Sequence, residues 1–143
     1  MDNYTSIISE IKLIRRQRAL LAKRESEISK PKLTDQKLLP ELYRCFRQLC
    51  PSQSERRRSV RTRKQFIFII LMLYSPAALA GGKILPGLRD RIAEVLDLTA
   101  SSTISNNLSD LDFLYQNYKD FHDETNQIYA GIIHYLKSRN LLP

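Results

Sequence analysis

Six cations crowd into eleven residues. The stretch Ser54–Lys64, SERRRSVRTRK, carries Arg56, Arg57, Arg58, Arg61, Arg63 and Lys64. A guanidinium is a planar fork that donates two parallel hydrogen bonds to a phosphate, and neutralising several phosphates makes binding steeply salt-dependent. Packed this closely the cations repel one another unless an anion intervenes, so a nucleic-acid backbone is the expected target. An acidic protein surface and a plainly solvated charge run are the alternatives. A second set of polar groups stands further along the chain: Ser102, Thr103, Ser105, Asn106 and Ser109. Small hydroxyls and a carboxamide are the groups that hydrogen-bond base edges, and Asn106 is the candidate for bidentate recognition of adenine.

Other chemistry is missing. His122 and His134 are twelve residues apart on a helical stretch, too far to share a metal, and no H-E-x-x-H or G-x-S-x-G occurs. Gly81-Gly82-Lys83-Ile84 lacks the spacing and hydroxyl of a phosphate loop. Asp110, Asp112, Asp120, Asp123 and Glu124 fall mostly on an outer helix face with no supporting constellation, so they are expected to be solvated. Cys45 and Cys50 lie five apart on a helix, about 140° off one face. Neither a disulfide nor a zinc site is expected of them, but two reduced, half-buried thiols in a cytosolic protein. No enzyme activity and no cofactor is expected.

The elements that must hold these groups are helical. Four glycines, no tryptophan and few alternating stretches point to an all-α chain. From Gly87 to Leu111, GLRDRIAEVLDLTASSTISNNLSDL, the pattern is a helix, a polar turn at Thr99–Ser102 and a second helix. Leu88, Ile92, Val95 and Leu96 form the apolar stripe of the first, with Ala93 beside it. Ile104, Leu108 and Leu111 form that of the second, with Ser102, Ser105, Asn106 and Ser109 opposite.

This segment, IAEVLDLTASSTISNNLSDL, resembles the helix-turn-helix DNA-binding superfamily found in repressors and many phage and mobile-element proteins. Ala93 matches the small residue where the two helices cross, Leu98 the apolar residue of the turn, and Thr99 the polar residue that opens it. Thr103-Ile104-Ser105 matches the start of the recognition helix. Asp97 stands where that family has Gly, and Asp tolerates the left-handed backbone better than most residues. The resemblance implies a second helix lying in a major groove of double-stranded DNA, in a protein of bacterial or phage type.

Charge is divided unevenly. The net charge is +8, yet residues 1–80 hold 17 Lys+Arg against 7 Asp+Glu, and residues 81–143 hold 6 against 8. The basic half is not the half with the helix-turn-helix pattern, so phosphate contacts are assigned to Arg56–Lys64 and groove contacts to Ser102–Ser109.

Two longer helices frame this core. In residues 3–29, Tyr4, Ile7, Ile11, Ile14, Arg18, Leu21, Glu25 and Ile28 recur at steps of three and four. Leu111, Leu114, Tyr118, Phe121, Thr125, Ile128, Ile132 and Tyr135 continue the same rhythm at the other end, as one long helix or with a break near Asn117–Asp120. These heptad-like stripes are expected to pack together or to form a homodimer. Between them, Ser29–Asp35 is expected to be a linker, Pro40–Leu49 a short helix ended by Pro51, and Ser75 a cap before Pro76. The apolar run Phe66–Tyr74 mimics a signal peptide, but it begins 60 residues in and is nine residues long, so it is expected to be a core helix. The N-terminus has no signal-peptide pattern, and neither membrane insertion nor export from the cytoplasm is expected.

The expected organisation is therefore a long amphipathic helix over 1–30, a linker with a short helix and basic cluster over 31–61, a helix-turn-helix core over 62–112 and a C-terminal amphipathic helix over 113–143. DNA binding is the leading functional expectation. A helical assembly module, in which the helix-turn-helix serves only packing, is the alternative.

Overall fold

A computed structural model of the chain describes the backbone of residues 3–50 and 55–143, and the side chains of 4–50 and 60–143. Every regular element among the described residues is helical. The chain divides into two units, residues 1–30 and residues 31–143.

The first unit is one helix, α1 (Asn3–Ile28), of 26 residues. No Gly or Pro interrupts it, and its polar positions are filled largely by good helix formers such as Lys, Arg and Glu. Ser29 closes it, both its backbone N–H and its hydroxyl donating to the Glu25 carbonyl. The described side chains of α1 are all exposed, the apolar stripe included.

The second unit is built around α3 (Glu55–Tyr74). From Gln65 to Tyr74 only Met72 is not buried, because apolar residues occupy almost every position and leave no face for water. Three other helices close on it. From α2 (Leu39–Leu49), the Tyr43 and Phe46 rings meet Phe66 edge-on at 4.9 and 5.2 Å. From α7 (Leu108–Asn117), Tyr115 stacks on Phe68 at 4.4 Å. From α8 (Lys119–Ser138), Ile128, Ile132 and Leu136 join the same core. Gly131 of α8 faces the Leu49 side chain of α2: a Cβ there would stand 2.8 Å from Leu49 Cδ1, so the leucine would have to turn aside.

Residues 31–35, expected to be a linker, are strapped to the core. Leu33 is buried, and the Leu73 carbonyl at the end of α3 accepts from the N–H groups of Lys32 and Leu33 at 2.8 and 3.0 Å. Tyr74 donates its phenol to the Asp35 carbonyl at 2.6 Å. Burial, reinforced by the nearby Asp35 carboxylate, holds that phenol above its ordinary pKa. Asp35 then caps a 3-10 turn, Gln36–Leu38, by accepting from the Lys37 N–H. Cys50, before Pro51, is extended at the end of α2, as sterics before proline favour; Pro51 itself lies outside the described residues.

Ser75 does not cap the short helix α4 (Pro76–Leu79). Its hydroxyl instead accepts the Leu85 N–H at 3.1 Å, tying the loop before α5 (Leu88–Val95) to the end of α3. The C-terminal stripe is broken where Tyr118 turns extended between α7 and α8, and there Tyr118 is exposed. A second interruption, at Asn107, separates α6 (Ser102–Asn106) from α7. Among the described residues, no helix is long and apolar enough to cross a membrane.

Candidate nucleic-acid interface

The α5 helix turns Leu88, Ile92 and Ala93 inward. It ends in a closed C-cap: the Leu98 N–H donates to the Ala93 carbonyl at 2.8 Å, and the Asp97 N–H to the Glu94 carbonyl at 3.2 Å. This Schellman pattern needs a left-handed residue between them, and Asp97 supplies it with φ of 57°. The chain then runs through Thr99, Ala100 and Ser101 into α6. Backbone N–H groups of Thr103 and Ile104 reach back to the carbonyls of Ala100 and Ser101.

The α6 helix has five residues and one anchor, since Ile104 is its only buried side chain. Around it, Ser102 and Asn106 are exposed, while Thr103 and Ser105 are half-buried. One turn on, in α7, Ser109 is exposed and Leu111 is fully buried. Ser102, Asn106 and Ser109 are thus open to solvent around the inward Ile104 and Leu111. Ser105 is engaged within the fold, its hydroxyl accepting from Arg89 Nη1 at 3.0 Å. Arg89 is exposed, so a cation stands at the edge of α6. Sequence reasoning missed it: Arg89 lies on the bracing helix, and its reach to Ser105 is a tertiary contact that local spacing does not encode.

The basic cluster is divided by the fold. The side chains of Arg56, Arg57 and Arg58 lie outside the described residues, although their backbone belongs to the first turn of α3. Arg61 donates from Nη2 to Glu124 Oε2 on α8 at 2.9 Å. Lys64 stands 3.9 Å from the Asp110 carboxylate on α7, a residue beside Ser109. Glu124 and Asp110, expected to be simply solvated, therefore face cations of α3: the basic half of the chain meets the acidic half here. Arg63 is half-buried, and the Nε atoms of Arg61 and Arg63 are sheltered without a hydrogen-bond partner. Arg61 and Lys64 also line one cleft with Leu114, Asp120 and Phe121.

Acidic groups flank the other side. Asp90, Glu94 and Asp97 recur at helical spacing on α5 and its cap, all exposed, beside Thr99 and Ser101. Exposed Arg89 and Arg91 alternate with these carboxylates along α5. Among the described residues, no group of His, Cys, Asp and Glu is arranged to hold a metal ion. Cys45 and Cys50 form no disulfide, and burial, with Glu41 nearby, raises the Cys45 thiol pKa.

Compared with known protein families, with curated proteins and with solved structures, the chain matches none.

Proposed function

We propose that the chain is a DNA-binding protein of helix-turn-helix type. In this reading α5 braces, α6 enters a major groove, and Ser102, Asn106 and Ser109 face base edges. The observation that carries it is the exposure of Ser102 and Asn106 on a helix whose Ile104 is wholly buried, behind a turn closed by left-handed Asp97. Arg89, Arg63 and the cluster Arg56–Arg58 supply phosphate contacts, and Arg61 and Lys64 join them by exchanging Glu124 and Asp110 for phosphate. The net charge of +8 favours such a partner. The setting is a cytoplasm of bacterial or phage-host type, where Cys45 and Cys50 stay reduced.

Selection of duplexes from a random pool tests this reading. Enrichment of a common sequence is expected, with Asn106→Ala losing about 5- to 150-fold in affinity for it, since one bidentate base contact is worth about 1–3 kcal/mol. No enrichment sinks the groove-reading role.

A second reading has its own support. The ion pairs of Arg61 and Lys64 neutralise part of the basic face, and α1 leaves an apolar stripe exposed. In that reading the chain is a helical assembly module and α5–α6 only a packing unit. It predicts self-association without any affinity for duplex DNA.

A further inference from the structure

The α1 helix leaves a largely apolar stripe exposed to water, and the charges within and beside that stripe select what covers it. Its members alternate by three and four: Tyr4, Ile7, Ile11, Ile14, Arg18, Leu21, Glu25 and Ile28, all exposed. Tyr4 is 81% exposed and Leu21 70%. At 1.5 Å per residue the stripe is about 36 Å long. Long amphipathic helices owe most of their stability to packing of the apolar face, and contiguous exposed patches mark association sites.

Arg18 and Glu25, the two charged members, decide the geometry. Two parallel copies in register set each stripe residue against itself. Arg18 then meets Arg18, and Glu25 meets Glu25, both inside the seam. Antiparallel copies avoid this. Tyr4 then pairs with Ile28 of the second copy, Ile11 with Leu21, Ile14 with Arg18 and Ile7 with Glu25, and the overlap is complete. No like charges face each other in any seam layer, and each charged member lies against an apolar one.

The flanking positions are satisfied in both arrangements, since a parallel pair would set Glu10 against Arg15 twice, so the seam charges Arg18 and Glu25 decide between them. In the antiparallel register Glu10 faces Arg24 of the second copy, twice by symmetry. Gln17 faces its own copy at the two-fold axis, and Ile8 faces Ala22. The one like-charged flanking pair is Arg15 with itself, at the rim, where a long side chain keeps its head in water. In the structure Arg24 is held only loosely, 3.9 Å from Glu27 with both largely exposed, so it is available to a partner.

We infer that α1 is a self-recognition helix: two copies of the chain pair through antiparallel α1 helices centred midway between Ile14 and Arg18, with reciprocal Glu10–Arg24 pairs setting the register. The inference rests on α1 alone and stands whether or not the second unit binds DNA.

Sedimentation equilibrium on the full chain tests it by charge reversal. The wild type is expected to be a dimer. Glu10→Lys turns two attractive pairs into two repulsive ones and should weaken the dimer about tenfold. Adding Arg24→Glu to Glu10→Lys should restore wild-type affinity to within about threefold. Adding Arg15→Glu instead should not, because Glu10 meets Arg15 only in the parallel arrangement. All these positions are exposed, so the fold of the second unit is undisturbed, and circular dichroism verifies helix content. A monomer at about 100 μM, a higher oligomer, indifference to Glu10→Lys, or rescue by Arg15→Glu each overturns the inference.

Discussion

Replacing Ile104 with alanine probes the one contact that fastens α6. Its side chain is fully buried, and no other side chain of this five-residue helix is buried. The substitution removes three carbon groups, about 2.4 kcal/mol at ~0.8 kcal/mol each. The cavity left behind adds to this, and local settling of so short a helix subtracts from it, giving an expected loss of about 3 kcal/mol. In a urea titration followed by circular dichroism, with a slope of about 2 kcal/mol/M, the midpoint should fall by about 1.5 M. Asn106→Ala, at an exposed position in the same helix, should change stability by no more than about 0.5 kcal/mol. A loss below about 1 kcal/mol for Ile104→Ala refutes the argument, because α6 would then be held by something other than its buried isoleucine.

Three further outcomes follow from the geometry. Asp97→Gly relieves a left-handed residue and should raise stability by about 0.5–1 kcal/mol, whereas Asp97→Val should lower it by more than about 1 kcal/mol; thermal melts of both decide the point. Tyr74→Phe removes the bond to the Asp35 carbonyl and should cost about 1 kcal/mol at pH 7. Because the folded Tyr74 pKa lies above its ordinary value of 10.0, the native state retains a proton that the unfolded chain loses; stability should fall as pH rises above about 10, less steeply in Tyr74→Phe. Gly131→Val drives a Cβ into Leu49 and should destabilise by about 1–2 kcal/mol, with Leu49→Ala recovering part of that loss in a double-mutant cycle.

Features with a local cause were legible in the chain. The helix over Phe66–Tyr74 follows from an apolar run too short for a membrane and too continuous for a surface. Asp97 stood out because the helix-turn-helix resemblance places Gly at that position and Asp tolerates a left-handed backbone, and its φ is positive. The interruption at Tyr118 fell within the stretch where the pattern allowed one. Features with a tertiary cause were not legible. Nothing in the spacing of Lys32 and Leu33 says that they bond to Leu73, or that Ser75 serves Leu85 rather than its own helix. The solvated appearance of Asp110 and Glu124 was right for isolated helices. It holds for Asp110, which stays exposed 3.9 Å from Lys64, and fails for Glu124, which α3 brings against Arg61 at 2.9 Å. Arg89 escaped notice for the same reason: its partner Ser105 lies sixteen residues away, across a turn.

The distribution of charge bears directly on the DNA proposal. An arginine already paired with a carboxylate gains less from a phosphate than a free one, because the first partner must be displaced. Arg61 and Lys64 should therefore matter less than their positive charge suggests, and Arg56–Arg58 and Arg89 more. If the proposal holds, the acidic groups Asp90, Glu94 and Asp97 disfavour a phosphate backbone beside them, although exposed Arg91 on the same helix offsets part of that charge.

The most direct measurement is fluorescence anisotropy of a labelled random-sequence duplex, titrated with the full chain over a series of salt concentrations. Binding is expected at about 50 mM salt with a steep negative slope of log affinity against log salt, reduced by about three in Arg56/Arg57/Arg58→Ala, near one for each phosphate that is no longer neutralised. Absence of binding at low salt, or a slope unchanged by the triple substitution, contradicts the DNA proposal.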